Sequence, residues 1–362
     1  MQSARIINPN KPLEVKQLDT PKPTGSQVLV KVKSCGICHS DIHLWEGGYE
    51  GPGGKFLKTT DRGVNYPLTP GHEVSGIVEE LGDDVPTNIT NAITKGTKIL
   101  VYPWIGEGLC TACKEGNENL CDTPRSLGVY KDGGYSDYLL VPSYRYLINL
   151  EGQDNNNNNL DLDSFSTLSC SALTAYGAIK NANLRPNDKV AIVGVGGLGL
   201  MAIQLAKAIN GPTVIAVDLD EKKLNIAKDN GADFTVNSKT EDPVKSIMEL
   251  TYNSGTDTVI DFVNSSKTAE TNMKIMRKRA RLVMVGLFGG EVNLNLVSMA
   301  TRAYRLIGSY TGNIAELNEL VSLAKRGVLR PVISDKFNLN NVTEGLTKLK
   351  EGNIKGRGVI NP

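Results

Sequence analysis

The feature that most constrains the fold of this chain is the glycine-rich turn in AIVGVGGLG, which follows one apolar run and opens another. Gly194, Gly196 and Gly199 stand in the G-x-G-x-x-G spacing. The first glycine permits a tight turn, the second lets the backbone approach a pyrophosphate, and the third lets a helix pack on a strand. A helix that begins at Gly197 and Leu198 offers free N–H groups to that anion. The turn therefore predicts dinucleotide binding.

Strand-like and helical runs alternate from Val190 to about Gly308. This alternation predicts βαβ units and a doubly wound parallel sheet, an α/β fold. The second strand-like run, VIAVD, ends at Asp218, where a carboxylate would accept both hydroxyls of the adenosine ribose and repel a 2′-phosphate. Capping of the following helix suits Asp220 better, which leaves Asp218 free. The sequence thus favours NAD over NADP.

The remainder of the chain follows a different pattern. The first 150 residues contain short strand-like runs between Gly and Pro turns, which predict a β-rich domain. The last fifty residues hold two predicted helices and the run GRGVI. Residues 152–159, GQDNNNNN, are predicted to form a flexible surface loop before the second domain. A length of 362 residues also favours two domains.

Composition excludes several classes of protein. Forty basic residues nearly balance thirty-nine acidic ones, so we expect neither nucleic acid nor an anionic membrane as a partner. The most apolar segment is short and rich in glycine, unlike a membrane span. No secretory pattern opens the chain, and six cysteines in this length do not make a disulfide scaffold. We expect a cytoplasmic protein with reduced or metal-bound thiols.

The segment EGLCTACKEGNENLC indicates a structural zinc site. Cys110 and Cys113 form a C-x-x-C pair, and Cys121 follows at a spacing that suits one tetrahedral ion. Closed structural sites have four ligands, and Glu107 is the leading candidate for the fourth. Poorer candidates are Asp122, Glu115 and Glu118. A redox pair and a metal-free packed loop are the alternatives; the third thiol and the lack of a thioredoxin-like setting disfavour the first.

A second group of ligand types surrounds CGICHSDIH. This stretch and the downstream PGHE and LSCS contain every histidine of the chain and the three remaining cysteines: Cys35, Cys38, His39, His43, His72 and Cys170. A catalytic zinc needs three protein ligands and one open position, and a Cys₂His set provides this.

Five motifs together resemble the medium-chain zinc-dependent alcohol dehydrogenases, most nearly their archaeal NAD-dependent members. They are CGICHSDIH, PGHEVSGIVEELG, CTACKEGNENLC, GGLGLMAIQLAK and VGLFG, in matching order, with PWIGEGLC ahead of the third. The resemblance implies a GroES-like β-rich catalytic domain over residues 1–171 and 309–362. It implies a Rossmann cofactor domain over residues 172–308 that binds NAD(H).

The resemblance also implies roles at a catalytic zinc. The implied ligands are Cys38, His72 and Cys170. Glu73 would approach or transiently replace the open ligand, and Asp41 would orient His72 through its second ring N–H. Cys35 becomes a packed bystander. Bound zinc would polarise an alcohol or carbonyl oxygen while hydride moves between carbon and nicotinamide.

The family's proton relay and cofactor contacts fall on further positions. Ser40 and His43 resemble the relay that takes the proton to solvent, and imidazole suits it because its pKa lies near neutrality. His39 and Arg357 occupy positions that contact the pyrophosphate. Lys223 stands near the adenosine ribose or on a solvated helix face. Val285 and Leu287 would line the nicotinamide side.

The sequence leaves other functions open on the same fold. A polyol or sugar dehydrogenase would want a polar pocket, whereas Trp104 suggests an apolar wall or a core residue. A semialdehyde or ω-hydroxy-acid reductase would need a cation such as Arg62 or Arg125 facing the pocket. A zinc-bearing binding protein without catalysis is the alternative class. We expect a small alcohol or aldehyde substrate and a homo-oligomer, dimer or tetramer, formed along the edge strand YRLIGSY.

Overall fold

A computed structural model describes residues 1–86, 93–151 and 161–362. The predicted loop at residues 152–159 lies outside the described residues. Within them, no helix combines the length and apolar character needed to cross a membrane.

The N-terminal part and the C-terminal end of the chain together build a mainly antiparallel sheet. Its strand order is β16-β17-β3-β6-β7-β9, with β8 also paired to β3. The strands are β3 (Val28–Gly36), β6 (Glu73–Leu81), β7 (Lys98–Val101), β8 (Tyr138–Val141), β9 (Leu147–Asn149), β16 (Ile333–Phe337) and β17 (Arg357–Ile360). Two small sheets accompany it, formed by β1 (Gln2–Arg5) with β2 (Glu14–Gln17) and by β4 (Gly48–Glu50) with β5 (Phe56–Lys58). Its helices are α1 (His39–Glu46), α2 (Thr111–Lys114), α3 (Leu162–Ser166), α10 (Ile314–Lys325) and α11 (Val342–Lys350).

The middle of the chain forms a six-stranded parallel sheet. Its order is β12-β11-β10-β13-β14-β15. The strands are β10 (Lys189–Val193), β11 (Thr213–Asp218), β12 (Phe234–Asn237), β13 (Thr256–Asp261), β14 (Met276–Met284) and β15 (Arg305–Gly308). The accompanying helices are α4 (Ser171–Ala182), α5 (Gly197–Ile209), α6 (Glu221–Asp229), α7 (Pro243–Leu250), α8 (Ser266–Ile275) and α9 (Leu296–Thr301). This is the Rossmann strand order, so the α/β prediction is confirmed.

The interior of this sheet explains why its strands are nearly continuous apolar runs. β10 and β13 are central, and apart from partly buried Lys189 their residues are all buried, because helices cover both faces. The order of connections reverses between these two strands, with β11 on one side and β14 on the other. Ligands of open α/β sheets bind at the carboxyl end of such a switch point. The fold therefore places the glycine turn at the expected ligand crevice.

The C-terminal segment closes the molecule back onto its N-terminal part. β17 pairs antiparallel with β3 through Val359–Gly36 and Ile360–Cys35, so its first residue, Arg357, lies beside the end of β3. Arg357, at the start of β17, therefore lies at the boundary between the two large sheets. This return explains how residues more than 280 positions apart meet at one site.

Candidate active site

Four buried side chains converge where several elements begin. Cys38 is the N-cap of α1, His72 and Glu73 stand at the start of β6, and Cys170 is the N-cap of α4. One potential ligand atom from each lies within 4.8 Å of all the others. Ligands at the ends of regular elements are held by backbone hydrogen bonds, so the cluster is pre-formed.

The geometry of this cluster fits a tetrahedral zinc ion. Cys38 Sγ and Cys170 Sγ are 4.0 Å apart, close to the roughly 3.8 Å that two Zn–S bonds of about 2.3 Å subtend in a tetrahedron. Glu73 Oε2 is buried and has no hydrogen-bond partner in the described structure. Two soft thiols, an imidazole and an adjacent free carboxylate oxygen are a donor set that suits zinc with one open position.

The imidazole of His72 is oriented by a buried carboxylate. Its Nδ1 lies 3.3 Å from Asp41 Oδ1, and both side chains are fully buried. Its Nε2 is 3.3 Å from Ser40 Oγ, on the cluster side. The contact with Asp41 is a close ion pair and not a well-aligned hydrogen bond. A carboxylate this close to Nδ1 favours a proton on that nitrogen, which leaves Nε2 free for a metal.

Sequence reasoning missed a third member of this arrangement. The hydroxyl of Tyr135 donates to Asp41 Oδ2 at 2.8 Å, and Tyr135 is fully buried. Nothing in the spacing of GGYSDY marks that tyrosine as a neighbour of CGICHSDIH. The contact depends on how the loop before β8 lies across β3.

The environment of the Cys38 thiol favours its thiolate form. A hydrogen bond with the Cys170 thiol, assisted by His72, lowers the pKa of Cys38 well below its ordinary value despite burial. The same contact raises the pKa of Cys170 well above its ordinary value. Ser40 Oγ donates to Cys38 Sγ at 3.2 Å. The thiolate is the form that binds a metal.

Glu73 has a partner that the sequence did not indicate. Arg357 Nη2 donates to Glu73 Oε1 at 2.5 Å, and both side chains are buried. Burial raises the pKa of Glu73 to about 7, although the guanidinium of Arg357 acts in the opposite direction. The family resemblance implies that Arg357 contacts a pyrophosphate. Its side chain also lies against Gly197, where an added Cβ would be 2.3 Å from Arg357 Cδ. It therefore bridges the cluster and the glycine turn.

The second cluster is local and half-exposed. Glu107, Cys110, Cys113 and Cys121 each place a ligand atom within 4.8 Å of the others. The sulfurs of Cys110 and Cys121 are 3.8 Å apart, again close to the tetrahedral value of about 3.8 Å. The carboxylate of Glu107 is held by the backbone N–H groups of Leu109 and Cys110. Three thiols and one carboxylate fit a closed structural zinc site.

The poorer fourth-ligand candidates do not join this cluster. Glu118 instead accepts hydrogen bonds from Gly106 N and from the Tyr146 hydroxyl, both at 2.9 Å, and pairs with Arg145. The same loop contacts the segment that follows β15, because Asn119 Nδ2 donates to Tyr310 O at 3.0 Å. Arg125 lies beside this loop. The hydrogen bond from Cys110 N is the main cause that lowers the pKa of Glu107, and the charge of Arg125 makes a smaller contribution in the same direction.

The glycine turn has the geometry that its spacing predicts. Gly194 has φ +84°, a conformation that favours glycine. An added Cβ on Gly199 would lie 2.2 Å from Gly194 O, so helix α5 packs directly on the turn. At Gly196 an added Cβ would meet no atom within 4 Å. The space beside Gly196, the N-cap of α5, is therefore open, as an anion bound at this helix N-terminus would require.

As the sequence indicated, Asp218 does not cap helix α6, but its carboxylate has backbone partners. Its Oδ2 accepts from Val195 N at 2.8 Å and its Oδ1 accepts from Leu219 N at 2.8 Å. Oδ1 also accepts from Asp220 N at 3.1 Å. These bonds fix the carboxylate at the carboxyl end of β11, and Oδ2 keeps a second lone pair for a ribose hydroxyl. Asp220 caps α6 through Lys222 N, as the sequence indicated. Lys223 is half-buried on the first turn of that helix.

His43 and His39 lie on α1 beside the buried cluster. The ring of His43 is 5.5 Å from that of Tyr49, its Nδ1 is buried, and burial lowers its pKa. His39, the first residue of α1, is exposed. Val285 is buried just beyond β14, and Leu287 is exposed, both at the carboxyl edge of the parallel sheet.

Aromatic side chains form a wall next to the cluster. The Trp104 ring is 5.3 Å from the His72 ring and 5.9 Å from the Tyr310 ring. Trp104 is buried, and its indole N–H donates to Ser169 O, so it is chiefly a core residue. Tyr310 is half-exposed and presents the accessible apolar surface.

Comparisons with known proteins agree with this architecture. Residues 24–152 match the model for an alcohol dehydrogenase GroES-like domain, and residues 197–326 match that for a zinc-binding dehydrogenase. An NAD-dependent alcohol dehydrogenase of Sulfurisphaera tokodaii is 39% identical, with 100% of each chain covered. The crystal structure of the alcohol dehydrogenase of Aeropyrum pernix superposes with a TM-score of 0.89 at 33% identity, again with 100% of each chain covered. A cobalt- and zinc-bound alcohol dehydrogenase of Pyrobaculum aerophilum has a TM-score of 0.83 at 26% identity over 100% of this chain and 99% of that one.

A GroES-like sheet joined to a Rossmann sheet, with a buried Cys–His–Cys cluster between them, defines a zinc-binding dehydrogenase. Full-length identity of 39% then places the chain in one family. It belongs to the medium-chain zinc-dependent alcohol dehydrogenases. The family and fold predicted from the sequence are confirmed.

Proposed function

We propose that the protein interconverts a primary or secondary alcohol with the corresponding aldehyde or ketone, with NAD(H) as the hydride carrier and zinc as cofactor. The observation that carries this proposal is the buried cluster of Cys38, His72 and Cys170 next to a dinucleotide-type glycine turn. Arg357 links the two, since it contacts Glu73 and lies against Gly197. A metal-binding protein without redox chemistry would not need that juxtaposition.

Each residue of the buried site has a proposed task. Cys38, His72 and Cys170 would hold the catalytic zinc. Zinc bound there supplies a Lewis acid that polarises the substrate oxygen. Glu73, whose Oε2 has no hydrogen-bond partner in the described structure, stands ready as an additional carboxylate ligand, and Arg357 holds its other oxygen. Burial of all four cluster residues excludes water and strengthens each charge interaction.

The proton would leave through α1. Ser40 Oγ lies 3.2 Å from Cys38 Sγ and so is within reach of a substrate oxygen at the open position. His43, three residues on, lies near one turn further along the same helix face and would pass the proton to solvent. Its lowered pKa keeps the ring neutral and able to accept a proton at neutral pH. The two residues are therefore assigned to a relay.

The cofactor would lie along the carboxyl edge of the parallel sheet. We assign its pyrophosphate to Gly194, Gly196, Gly197, Leu198 and Gly199 at the α5 N-terminus, flanked by His39 and Arg357. We assign the adenosine ribose to Asp218 and Lys223, and the nicotinamide side to Val285 and Leu287. Asp218 at this place supports NAD over NADP.

The second cluster would hold a structural zinc. We assign Glu107, Cys110, Cys113 and Cys121 as its ligands. The loop they close contacts Tyr310 through Asn119 and carries Glu118 bonded to Tyr146. Metal binding there would stabilise the fold without taking part in the reaction.

The direct test is NADH oxidation against short aliphatic aldehydes, benzaldehyde, a cyclic ketone and polyol-derived ketoses. Each assay is repeated with NADPH and after chelator treatment. We expect chelator-sensitive turnover that prefers NADH, and Asp218→Ala should weaken that preference by about 10-fold or more, because the ribose contact is lost. Zinc-replete protein that binds NADH but turns over no aldehyde or ketone would contradict the proposal.

A second candidate, reduction of a semialdehyde to an ω-hydroxy acid, is favoured by one observation. The guanidinium of Arg62 lies 5.7 Å from the centre of the Tyr49 ring and donates to its hydroxyl, and that ring neighbours His43. Desolvation raises the pKa of the hydroxyl of Tyr310 in the aromatic wall, and the charge of Arg62 also acts on this group, as a smaller effect in the direction that lowers its pKa. Arg125, the other cation considered, lies at the structural-zinc loop instead. We therefore assign Arg62 to the mouth of the site.

Matched substrates separate the two candidates. If Arg62 recognises a carboxylate, 4-oxobutanoate should be preferred over butanal, and Arg62→Gln should lower kcat/KM for the anion by about 10-fold or more while butanal is unaffected. Arg62→Lys keeps the charge and serves as the control. Equal losses on both substrates would assign Arg62 to the structure of the loop instead.

We further propose a homo-oligomer and a cytoplasmic location. β15 is the outer strand of the parallel sheet, and exposed Leu296 and Val297 of α9 lie close to it in sequence. An edge strand beside exposed apolar residues suits a second copy of the chain. All six cysteines are free, as a reducing compartment favours. Light scattering, which gives the mass of the particle in solution, tests the interface by comparing Leu296→Glu with wild type.

We also propose that the domain boundaries lie at residues 171/172 and 308/309.

A further inference from the structure

The carboxylate of Asp41 is more heavily hydrogen-bonded than orientation of one imidazole requires. Its Oδ2 accepts from Cys38 N at 2.9 Å and from the Tyr135 hydroxyl at 2.8 Å. Its Oδ1 accepts from Gly71 N at 3.3 Å and lies 3.3 Å from His72 Nδ1. Three of these groups belong to the segments that carry Cys38 and His72. The fourth, Tyr135, comes from a separate loop.

Packing fixes the Tyr135 ring under the turn that precedes His72. An added Cβ on Gly71 would lie 2.5 Å from Tyr135 Cδ1, so the ring and that turn are in direct contact. The backbone of the tyrosine is tied to the same turn, because its N–H donates to Pro70 O at 3.1 Å. A fully buried ring held in this way has no freedom to turn its hydroxyl elsewhere. The hydroxyl is therefore a pre-aligned donor.

We propose that Tyr135 is a positioning residue for the catalytic zinc site, acting through Asp41 on His72. Its hydroxyl holds Oδ2, so that Oδ1 stays directed at Nδ1 and Nε2 stays directed at the cluster. Without it, the carboxylate keeps its backbone donors but can rotate about them, and the imidazole loses its fixed direction. The inference rests on the proposed catalytic zinc and concerns how tightly the protein holds it.

Tyr135→Phe removes only the hydroxyl and keeps the ring that packs on Gly71. Partners of metal ligands typically contribute about 10- to 100-fold to metal affinity. Tyr135 acts one residue further out, so we expect release of one zinc per chain to a chelator to accelerate by about 10-fold, with the second zinc unaffected. Release is followed by absorbance of a chromogenic chelator and needs no turnover. Cobalt-substituted protein should show an altered visible spectrum in the variant.

Tyr102→Phe is the matched control. Tyr102 is also buried, and its hydroxyl donates to Gly312 O at 3.0 Å, so the same atom and a hydrogen bond are lost without contact to Asp41. If both variants are equally destabilised but only Tyr135→Phe releases zinc faster, the effect is specific. If the two release zinc at the wild-type rate, or equally fast, the positioning role is wrong.

A double-mutant cycle tests the route. In an Asp41→Asn background, Tyr135→Phe should add little, because both changes interrupt one pathway. Additive effects would overturn the claim that Tyr135 acts through Asp41. If Cys38→Ala leaves the zinc content of the protein unchanged, the buried cluster holds no zinc and the proposed function itself is overturned. Zinc at the buried cluster with unchanged release in Tyr135→Phe would overturn this inference alone.

Discussion

The two metal-ligating clusters have four side chains each but are assembled in different ways. Cys38, His72, Glu73 and Cys170 come from three distant parts of the chain and are all buried. Glu107, Cys110, Cys113 and Cys121 lie within one short loop, and three of the four are only partly buried. One cluster depends on the whole fold, and the other on a local segment.

This difference separates two uses of similar ligands. A local cluster closes a loop and can bind metal as soon as that loop forms, so it contributes mainly to stability. The buried cluster is oriented by Asp41, by Tyr135 and by Arg357 through Glu73. Such surrounding contacts fix geometry for chemistry. Variants in the two clusters should therefore affect different properties.

The largest effect on turnover should come from Cys38→Ala. Loss of a ligand at the buried site removes Lewis-acid assistance worth several kcal/mol, so kcat/KM should fall by about 10³-fold or more. Metal analysis should find one zinc per chain in place of two. Retention of both ions with full activity would remove the distinction between the clusters.

His43→Gln should have the next largest effect, about 100-fold on alcohol oxidation at neutral pH, the lower end for a proton-transfer group because water can partly replace it. Burial lowers the pKa of His43, so activity of the wild type should decline only as pH falls below the ordinary histidine range. The ring then becomes protonated and cannot accept a proton. The variant should lack this acidic limb in a pH–rate profile. An unchanged profile would assign the limb to another group.

His43 should also have a smaller effect, on the free energy of unfolding. Because the folded pKa of His43 lies below the unfolded one, the unfolded chain binds more protons as pH falls below about 6.5. The free energy of unfolding should therefore decrease from about pH 6.5 downward, and His43→Gln should flatten this slope. Urea unfolding at several pH values measures it. A steeper slope in the variant would contradict the sign.

The smallest effect on turnover should come from Glu107. Glu107→Ala should weaken metal binding at the local cluster by about 100-fold and lower the thermal midpoint, while kcat of the folded protein stays close to wild type. Glu107→Cys supplies a fourth thiolate and should retain the metal longer than wild type. Metal release and calorimetry measure both. A large loss of kcat in the alanine variant would show that the two regions are coupled, with Asn119 and Tyr310 as the connecting contact.

Local patterns were enough to predict part of this protein. The spacing of Gly194, Gly196 and Gly199 and that of Cys110, Cys113 and Cys121 follow from the requirements of a turn and of a tetrahedral ion, which act over a few residues. The alternation of strand-like and helical runs likewise predicted the parallel sheet. Strands that helices cover on both faces are short continuous apolar runs, and these can be recognised in the sequence.

Only the tertiary structure decided which distant side chains meet. Tyr135 contacts Asp41, and Arg357 contacts Glu73, through a loop crossing and a returning C-terminal strand that leave no spacing signal. The same holds for the Asp218 carboxylate, which accepts the N–H of Val195 from the glycine turn, a contact that the spacing of VIAVD does not indicate. Hydrogen bonds between elements depend on how sheets and loops pack in three dimensions, and that packing is a property of the whole chain.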